Sequence, residues 1–135
     1  MCIRDSRTGA DYTVEAMQGA LEDQKLEPKF RADAARYLAW HARCKQARPI
    51  ELSALHIGGL HVAHMPGELF VEYQLAALKE KPGDLLAMAA YGDYGPMYIG
   101  TAKAYEEGGY ETSQVSRVGP EVEDVLMTAM RKVLG

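Results

Sequence analysis

The spacing of apolar residues changes abruptly at Pro49, and this change constrains the fold more than any other feature. Upstream, one face recurs at the spacing of an amphipathic helix: Phe30, Ala34, Tyr37, Leu38 and His41. Downstream, Ile50, Leu52 and Ala54 alternate with Glu51 and Ser53, and Gly58-Gly59 is a turn dipeptide. The sequence therefore predicts a helix that begins near Pro28 and ends near Arg48, followed by a β-hairpin over residues 49–65.

The remaining elements alternate between helical and extended patterns. In chain order they are a helix over 12–24 that Thr13 can cap, a helix that starts at once after Pro66-Gly67, a strand over about 85–91, a short helix over 101–107 and a helix over 121–134. The strand is a continuous apolar run, which is typical of a strand covered on both faces, with a buried helix as the alternative. This order predicts an α/β fold, a partial domain with a mixed sheet covered by helices.

Composition excludes several classes of protein. The chain has 135 residues and is 47% hydrophobic, as expected of a globular domain. Its net charge of -4 does not indicate binding to nucleic acid. No apolar run approaches the roughly 20 residues of a transmembrane segment. Cys2 and Cys44 define neither a disulfide framework nor a CxxC metal motif.

The first residues do not look like a native start. Met1 to Ser6 lack the apolar core of a secretion signal, so we interpret residues 1–6 as a non-native lead and 7–135 as part of a single domain. On this interpretation the natural protein continues upstream, and any signal for a secreted or periplasmic location would lie there.

Three segments place polar side chains at the ends of predicted elements. Glu68 follows Pro66-Gly67, where a carboxylate can bind a metal or act as a base, although a helix dipole alone also favours an acidic residue there. The segment Asp93-Tyr94-Gly95-Pro96-Met97-Tyr98 supplies hydroxyls that can stabilise an oxyanion or, once deprotonated, ligate zinc; simple packing is the alternative. Gly108-Gly109-Tyr110-Glu111 indicates a tight turn or an ordinary helix stop.

The histidines are weaker candidates for metal binding. His56, His61 and His64 lie in the predicted hairpin, where His61 and His64 should point to opposite faces. Their spacing is not that of a standard zinc motif, and His41 belongs to a helix. The chain contains no GxSxG elbow, phosphate-binding glycine loop or HExxH motif.

From about Ile50 to Leu134 the chain resembles the C-terminal part of the neutral/alkaline non-lysosomal ceramidase catalytic domain. The resemblance is carried by Leu55-His56-Ile57-Gly58, His64-Met65-Pro66-Gly67-Glu68-Leu69-Phe70, Met97-Tyr98-Ile99-Gly100-Thr101 and Tyr105-Glu106-Glu107-Gly108-Gly109-Tyr110-Glu111. Family members carry a Pro-Gly-Glu, a later Tyr-Ile-x-Thr and a further tyrosine, and the spacing of 12 between Tyr98 and Tyr110 fits that pattern.

The resemblance implies a zinc-dependent amidohydrolase of lipid metabolism that cleaves the linear N-acyl bond of a small-molecule or lipid-like amide. By position, Glu68 and Tyr98 match metal ligands, and Tyr110 matches a catalytic tyrosine that assists at the substrate amide. The two histidine ligands and a catalytic serine of the family lie upstream. The resemblance therefore implies a fragment whose zinc site is completed only in the full-length protein.

The loop before the tyrosine ligand departs from the family pattern. Ceramidases proper have an Asn-x-Tyr there, whereas this loop runs from Gly92 to Tyr98 without one. The difference indicates a bacterial ceramidase-like subgroup whose substrate need not be ceramide. Two alternatives remain: a non-catalytic ceramidase-like scaffold or binding module, and an assembly domain in which the helix over 121–134 docks a partner.

Overall fold

The computed structural model describes residues 13–92 and 95–135, so the predicted lead and the candidates Asp93 and Tyr94 lie outside the described residues. In chain order the elements are α1 (Val14–Glu22), α2 (Pro28–Lys45), β1 (Ser53–Ile57), β2 (Leu60–Pro66), β3 (Glu68–Leu69), α3 (Val71–Glu80), β4 (Leu85–Gly92), β5 (Tyr98–Ile99), α4 (Ala102–Glu107), a π-helical segment (Glu111–Val115) and α5 (Val122–Leu134). The predicted α/β class with a mixed sheet is confirmed.

The first two helices form as the local sequence predicts. The Thr13 hydroxyl accepts a hydrogen bond from the backbone N–H of Ala16 at 3.1 Å, which caps α1. Pro28 occupies the first position of α2, where its missing N–H costs nothing. α2 ends at Lys45, earlier than predicted, because Ala47 adopts a left-handed φ of 51° and turns the backbone away.

The larger sheet has the strand order β1-β2-β4. β1 and β2 are antiparallel on either side of Gly58-Gly59, which confirms the hairpin, and β2 runs parallel to β4. α3 is the crossover between these two parallel strands. Ala63 and Met65 of β2 lie in the core with residues of the covering helices: Tyr73, Ala77, Val122, Leu126, Met130 and Leu134.

The prediction that the strand over 85–91 is covered on both faces is wrong for the described part of the chain. Leu85 of β4 is 72% exposed, and Leu55 and Ile57 of β1, on the other side of β2, are 51% and 61% exposed. α3 and α5 pack on the face that carries Ala63, so the apolar run reflects one buried face and a second face that is apolar but exposed. Among the described helices, none is long and apolar enough to cross a membrane.

Candidate functional site

The chain does not enter a helix directly after Pro66-Gly67, so the predicted helix start is wrong. Gly67 has a left-handed φ of 65°, and Glu68 and Leu69 continue as β3 before α3 begins at Val71. The cause is tertiary: the backbone N–H of Glu68 donates to the carbonyl of Met97 at 2.8 Å, as part of a pairing with β5. Glu68 is therefore a strand residue, and helix-dipole stabilisation does not account for it.

A short parallel pair of strands places Glu68 beside Tyr98. In the register between β3 and β5, Glu68 is opposite Tyr98 and Leu69 is opposite Ile99. The backbone N–H of Phe70 extends the ladder by donating to the carbonyl of Ile99 at 3.1 Å. The strands are far apart in sequence, so the two residues meet only in the folded chain.

The last residues of β4 are hydrogen-bonded to Gly67. The N–H of Gly67 donates to the carbonyl of Gly92 at 2.7 Å, and the N–H of Tyr91 donates to the carbonyl of Gly67 at 2.7 Å. Tyr91 and Met97 have left-handed φ values of 67° and 59°, which are uncommon for residues with a side chain. Such backbone strain persists where the surroundings over-determine it, and it concentrates at functional sites.

Glu68 and Tyr98 interact through their side chains. Both are half-buried, and hydrogen bonding to the Glu68 side chain is the largest influence on the ionisation of the Tyr98 hydroxyl. This bond and the negative charge of Glu68 raise the pKa of Tyr98, with smaller contributions from desolvation, Tyr91 and Glu111. The pair is thus a carboxylate beside a phenol whose protonated form it favours.

Glu111 is the residue near this pair to which sequence reasoning gave no role. Its charge acts on Tyr98 because the π-helical segment brings it back towards β5. A Cβ at Gly100 would come within 2.8 Å of the Thr112 side chain, so the chain after β5 approaches the π-helical segment closely. The buried hydroxyl of Tyr73 donates to the carbonyl of Gly100 at 2.9 Å, which supports the same turn. π-helical turns occur often at functional sites, but the sequence carries no clear signal for one.

Tyr110 is not part of the Glu68–Tyr98 pair. It immediately precedes the π-helical segment, is 57% exposed, and lines a cavity of about 530 Å³ together with Met97. Gly108 and Gly109, with φ values of 74° and 134°, turn the chain after α4 and set its position. The structure therefore brings two of the three candidate residues into contact and places the third on a cavity wall shared with Met97.

The hairpin histidines lie away from this pair. His61 and His64 are on opposite faces of β2, as predicted: His61 is 8% exposed and His64 is exposed. His61 Nε2 lies 2.9 Å from the Asp84 carboxylate, and His56 contacts His61 and the Val133 carbonyl. These contacts account for His56 and His61 as structural residues that join β1, β2 and the end of α5.

Glu68 and Tyr98 are two oxygen donors, fewer than a zinc site needs. Zinc sites use three or four protein ligands, and carboxylate oxygens are among them. Within the described ranges, no group of three or more His, Cys, Asp or Glu side chains is placed to hold a metal. Glu68 and Tyr98 offer two adjacent oxygens, which match the two ligands that the resemblance assigns to this part of the domain. No family model, curated protein or solved structure matches the chain.

Removing the charge of Glu68 should lower the pKa of Tyr98. In Glu68→Gln the hydroxyl can still donate a hydrogen bond, but the carboxylate that resists phenolate formation is gone. NMR titration of ring-labelled tyrosine should show a larger decrease for Glu68→Gln than for Glu111→Gln, because Glu111 makes the smallest contribution. An unchanged Tyr98 titration in Glu68→Gln would contradict the pairing.

The raised pKa of Tyr98 also makes the stability of the fold depend on pH. The folded-state pKa of Tyr98 lies above the ordinary value of 10.0, so the pair stabilises the fold below that pH. The contribution is lost as the pH rises through the folded-state pKa.

Proposed function

We propose that this chain supplies two zinc ligands, Glu68 and Tyr98, to the active site of an amide hydrolase and forms part of its catalytic domain. The observation that carries the proposal is the contact between these side chains at paired positions of β3 and β5. A coincidental match to the family pattern would not require two residues 30 positions apart in the sequence to meet. The type of reaction is inferred from the family resemblance. The closeness of the two side chains supports the assignment of Glu68 and Tyr98 as ligands.

The chain's own groups are suited to receive a cation. The carboxylate of Glu68 favours the protonated form of Tyr98, so loss of this one proton leaves two adjacent anionic oxygens. Zinc, when bound, polarises an amide carbonyl and lowers the pKa of a bound water. The backbone bonds of Gly67 and Glu68 and the pairing of β3 with β5 hold the backbone of both residues in register.

The substrate proposed is a linear N-acyl amide, either a small molecule or lipid-like. The cavity lined by Tyr110 and Met97 supports this class, because most of its other walls are apolar: Met17, Ala20, Leu26, Phe30, Ala34, Tyr37 and Val115. A volume of about 530 Å³ is within the range of small-molecule sites. Tyr110 is 57% exposed and lies on this wall, where we assign it the role of assisting at a bound amide.

Zinc should bind the 135-residue chain weakly and displace the Tyr98 proton. Complete structural sites are worth about 10–16 kcal/mol, so half of the ligands should contribute at most about 8 kcal/mol and give a Kd weaker than about 1 µM. Calorimetry in two buffers measures the proton release, and tyrosinate absorption identifies its source. Tyr98→Phe should abolish the proton release, and the matched variant Tyr110→Phe should retain it.

Two results would contradict this proposal. Tight, stoichiometric zinc on the chain alone would mean that its own residues complete the site. No effect of zinc on Tyr98 at any concentration would remove Tyr98 as a ligand. The activity itself is tested by sequencing the source DNA upstream of codon 7. A reading frame with two upstream histidines and zinc-dependent amide hydrolysis is the expected result, and a frame without them would leave a non-catalytic scaffold.

A further inference from the structure

We propose that His56 and His61 hold one additional proton between their rings and so form a pH-sensitive clasp between the β1–β2 hairpin and the C-terminal end of α5. The two residues are directly opposite each other in the register of β1 and β2. Their rings meet edge to face, with centroids 4.8 Å apart and an interplanar angle of 76°. We call this pair the histidine clasp. The inference is independent of the proposed zinc site.

The outer nitrogen of each ring lies against an oxygen that accepts hydrogen bonds and cannot donate one. His61 Nε2 is 2.9 Å from the carboxylate of Asp84, in the turn between α3 and β4. His56 Nε2 is 3.1 Å from the backbone carbonyl of Val133, in the last turn of α5. Because a carbonyl and an ionised carboxylate are acceptors, both Nε2 atoms must carry a hydrogen and donate it.

The inner nitrogens of the two rings then face each other with no hydrogen between them. His56 Nδ1 and His61 Nδ1 are 2.5 Å apart. A neutral imidazole has one N–H, and in both rings Nε2 already uses it. The three contacts therefore require three hydrogens, whereas two neutral rings supply two. One further proton on the pair makes one Nδ1 a donor to the other and satisfies all three contacts.

The immediate surroundings of the pair favour one positive charge and disfavour two. Asp84 supplies a negative charge, and the Val133 carbonyl belongs to the negative end of the α5 dipole. His61 is only 8% exposed, so a positive charge without a partner would be costly there. A second proton would set two N–H groups and two positive charges against each other.

The neighbouring helices bring four further charged groups towards this region: Glu80, Lys81, Arg131 and Lys132. Arg131 Nε lies 2.7 Å from the Glu80 carboxylate, so these two charges are paired. Lys81 donates to the Gly135 carbonyl at 2.8 Å, and Lys132 is exposed and therefore screened. On the side of the sheet, β4 places the apolar Leu86 opposite His61. Asp84 is thus the charged group in hydrogen-bond contact with the pair.

The clasp is expected to be closed while the pair holds one proton. Histidine side chains change charge between about pH 5 and 8. At the upper end of this range the inner nitrogens have no hydrogen between them, and at the lower end both carry one, so in either case the rings move apart. The contact of His56 with the Val133 carbonyl is disturbed with them, which links the end of α5 to the pH.

The test is an NMR titration of the 135-residue chain, isotopically labelled in its histidine rings, through the range in which histidines change charge. We expect the Nδ1 signals of His56 and His61 to move together through one midpoint, each by about half of the change that full protonation produces, because the proton is shared. His64 should titrate alone with the full change. The backbone amide of Leu134, which follows the Val133 carbonyl, should shift at the midpoint of the pair.

Two variants separate the clasp from an ordinary histidine titration. His56→Gln removes one ring at an exposed position and keeps a side-chain N–H for the Val133 carbonyl. His61 should then show the full change, and the Leu134 signal should lose its step. The matched control His64→Gln changes the β2 histidine on the opposite face and should leave the shared titration as it is. Independent full titrations of His56 and His61 in the wild-type chain, or a Leu134 step that persists in His56→Gln, would overturn the clasp.

Discussion

Replacing Gly67 with alanine should lower the free energy of unfolding by about 2–5 kcal/mol, because two penalties coincide at this position. The residue has φ of 65°, a conformation that costs a residue with a side chain about 1–2 kcal/mol. In addition, a Cβ at Gly67 would lie 2.5 Å from the carbonyl oxygen of Met97. This backbone oxygen accepts the hydrogen bond from the N–H of Glu68. It therefore cannot move away without breaking the pairing of β3 with β5.

Gly58 provides the matched control for this substitution. Its φ is 58°, but in the hairpin turn no atom lies within 4 Å of the position that a Cβ would take. Gly58→Ala should therefore cost only the conformational part, about 1–2 kcal/mol. Denaturant unfolding of both variants measures the difference, and equal costs would contradict the close approach of Gly67 to Met97.

The Gly67 substitution also has a consequence for the candidate site. If the backbone of Met97 is displaced, Tyr98 moves away from Glu68 and loses the bond that raises its pKa. The pKa of Tyr98 should then fall towards its ordinary value, while Gly58→Ala leaves it unchanged. If the pKa of Tyr98 stayed raised in folded Gly67→Ala, the two side chains would interact whether or not residue 67 is a glycine.

The elements that depend on local signals were predictable from the sequence. The hairpin follows from the alternation of residues 50–54 and from the turn dipeptide Gly58-Gly59, and α1 follows from the Thr13 cap. The short helix α4 likewise begins after Thr101, whose hydroxyl accepts from the N–H of Ala104 at 3.2 Å. In each case neighbouring residues supply the stabilising contact, so a short window of sequence contains the cause.

The features missed by sequence reasoning depend on distant parts of the chain. Glu68 lies in a strand because β5 offers it a partner, and no residue near Glu68 indicates that strand. Glu111 acts on Tyr98 because a π-helical segment returns the chain, which apolar spacing does not encode. The exposed face of β4 was missed because an apolar run indicates which residues avoid water, not which neighbours are present to cover them.

Truncating Leu126 should be as costly as the Gly67 change but should leave the candidate site intact. Leu126 is fully buried in the core between α5 and the sheet, and Leu→Ala changes at such positions cost about 2–5 kcal/mol. Val125, the preceding residue on α5, is 38% exposed, so Val125→Ala should cost less than about 1 kcal/mol. Denaturant unfolding of the two variants tests where the core lies.

The Tyr98 titration separates global stability from the geometry of the site. The bonds that hold β3 to β5 run among Gly67, Glu68, Phe70 and their backbone partners, and α5 contributes none of them. Leu126→Ala should therefore preserve the raised pKa of Tyr98 as long as the chain is folded, whereas Gly67→Ala should lose it at similar stability. A parallel loss in both variants would mean that the core positions the carboxylate and phenol, and the site would then be a property of the whole sheet rather than of the β3–β5 pair.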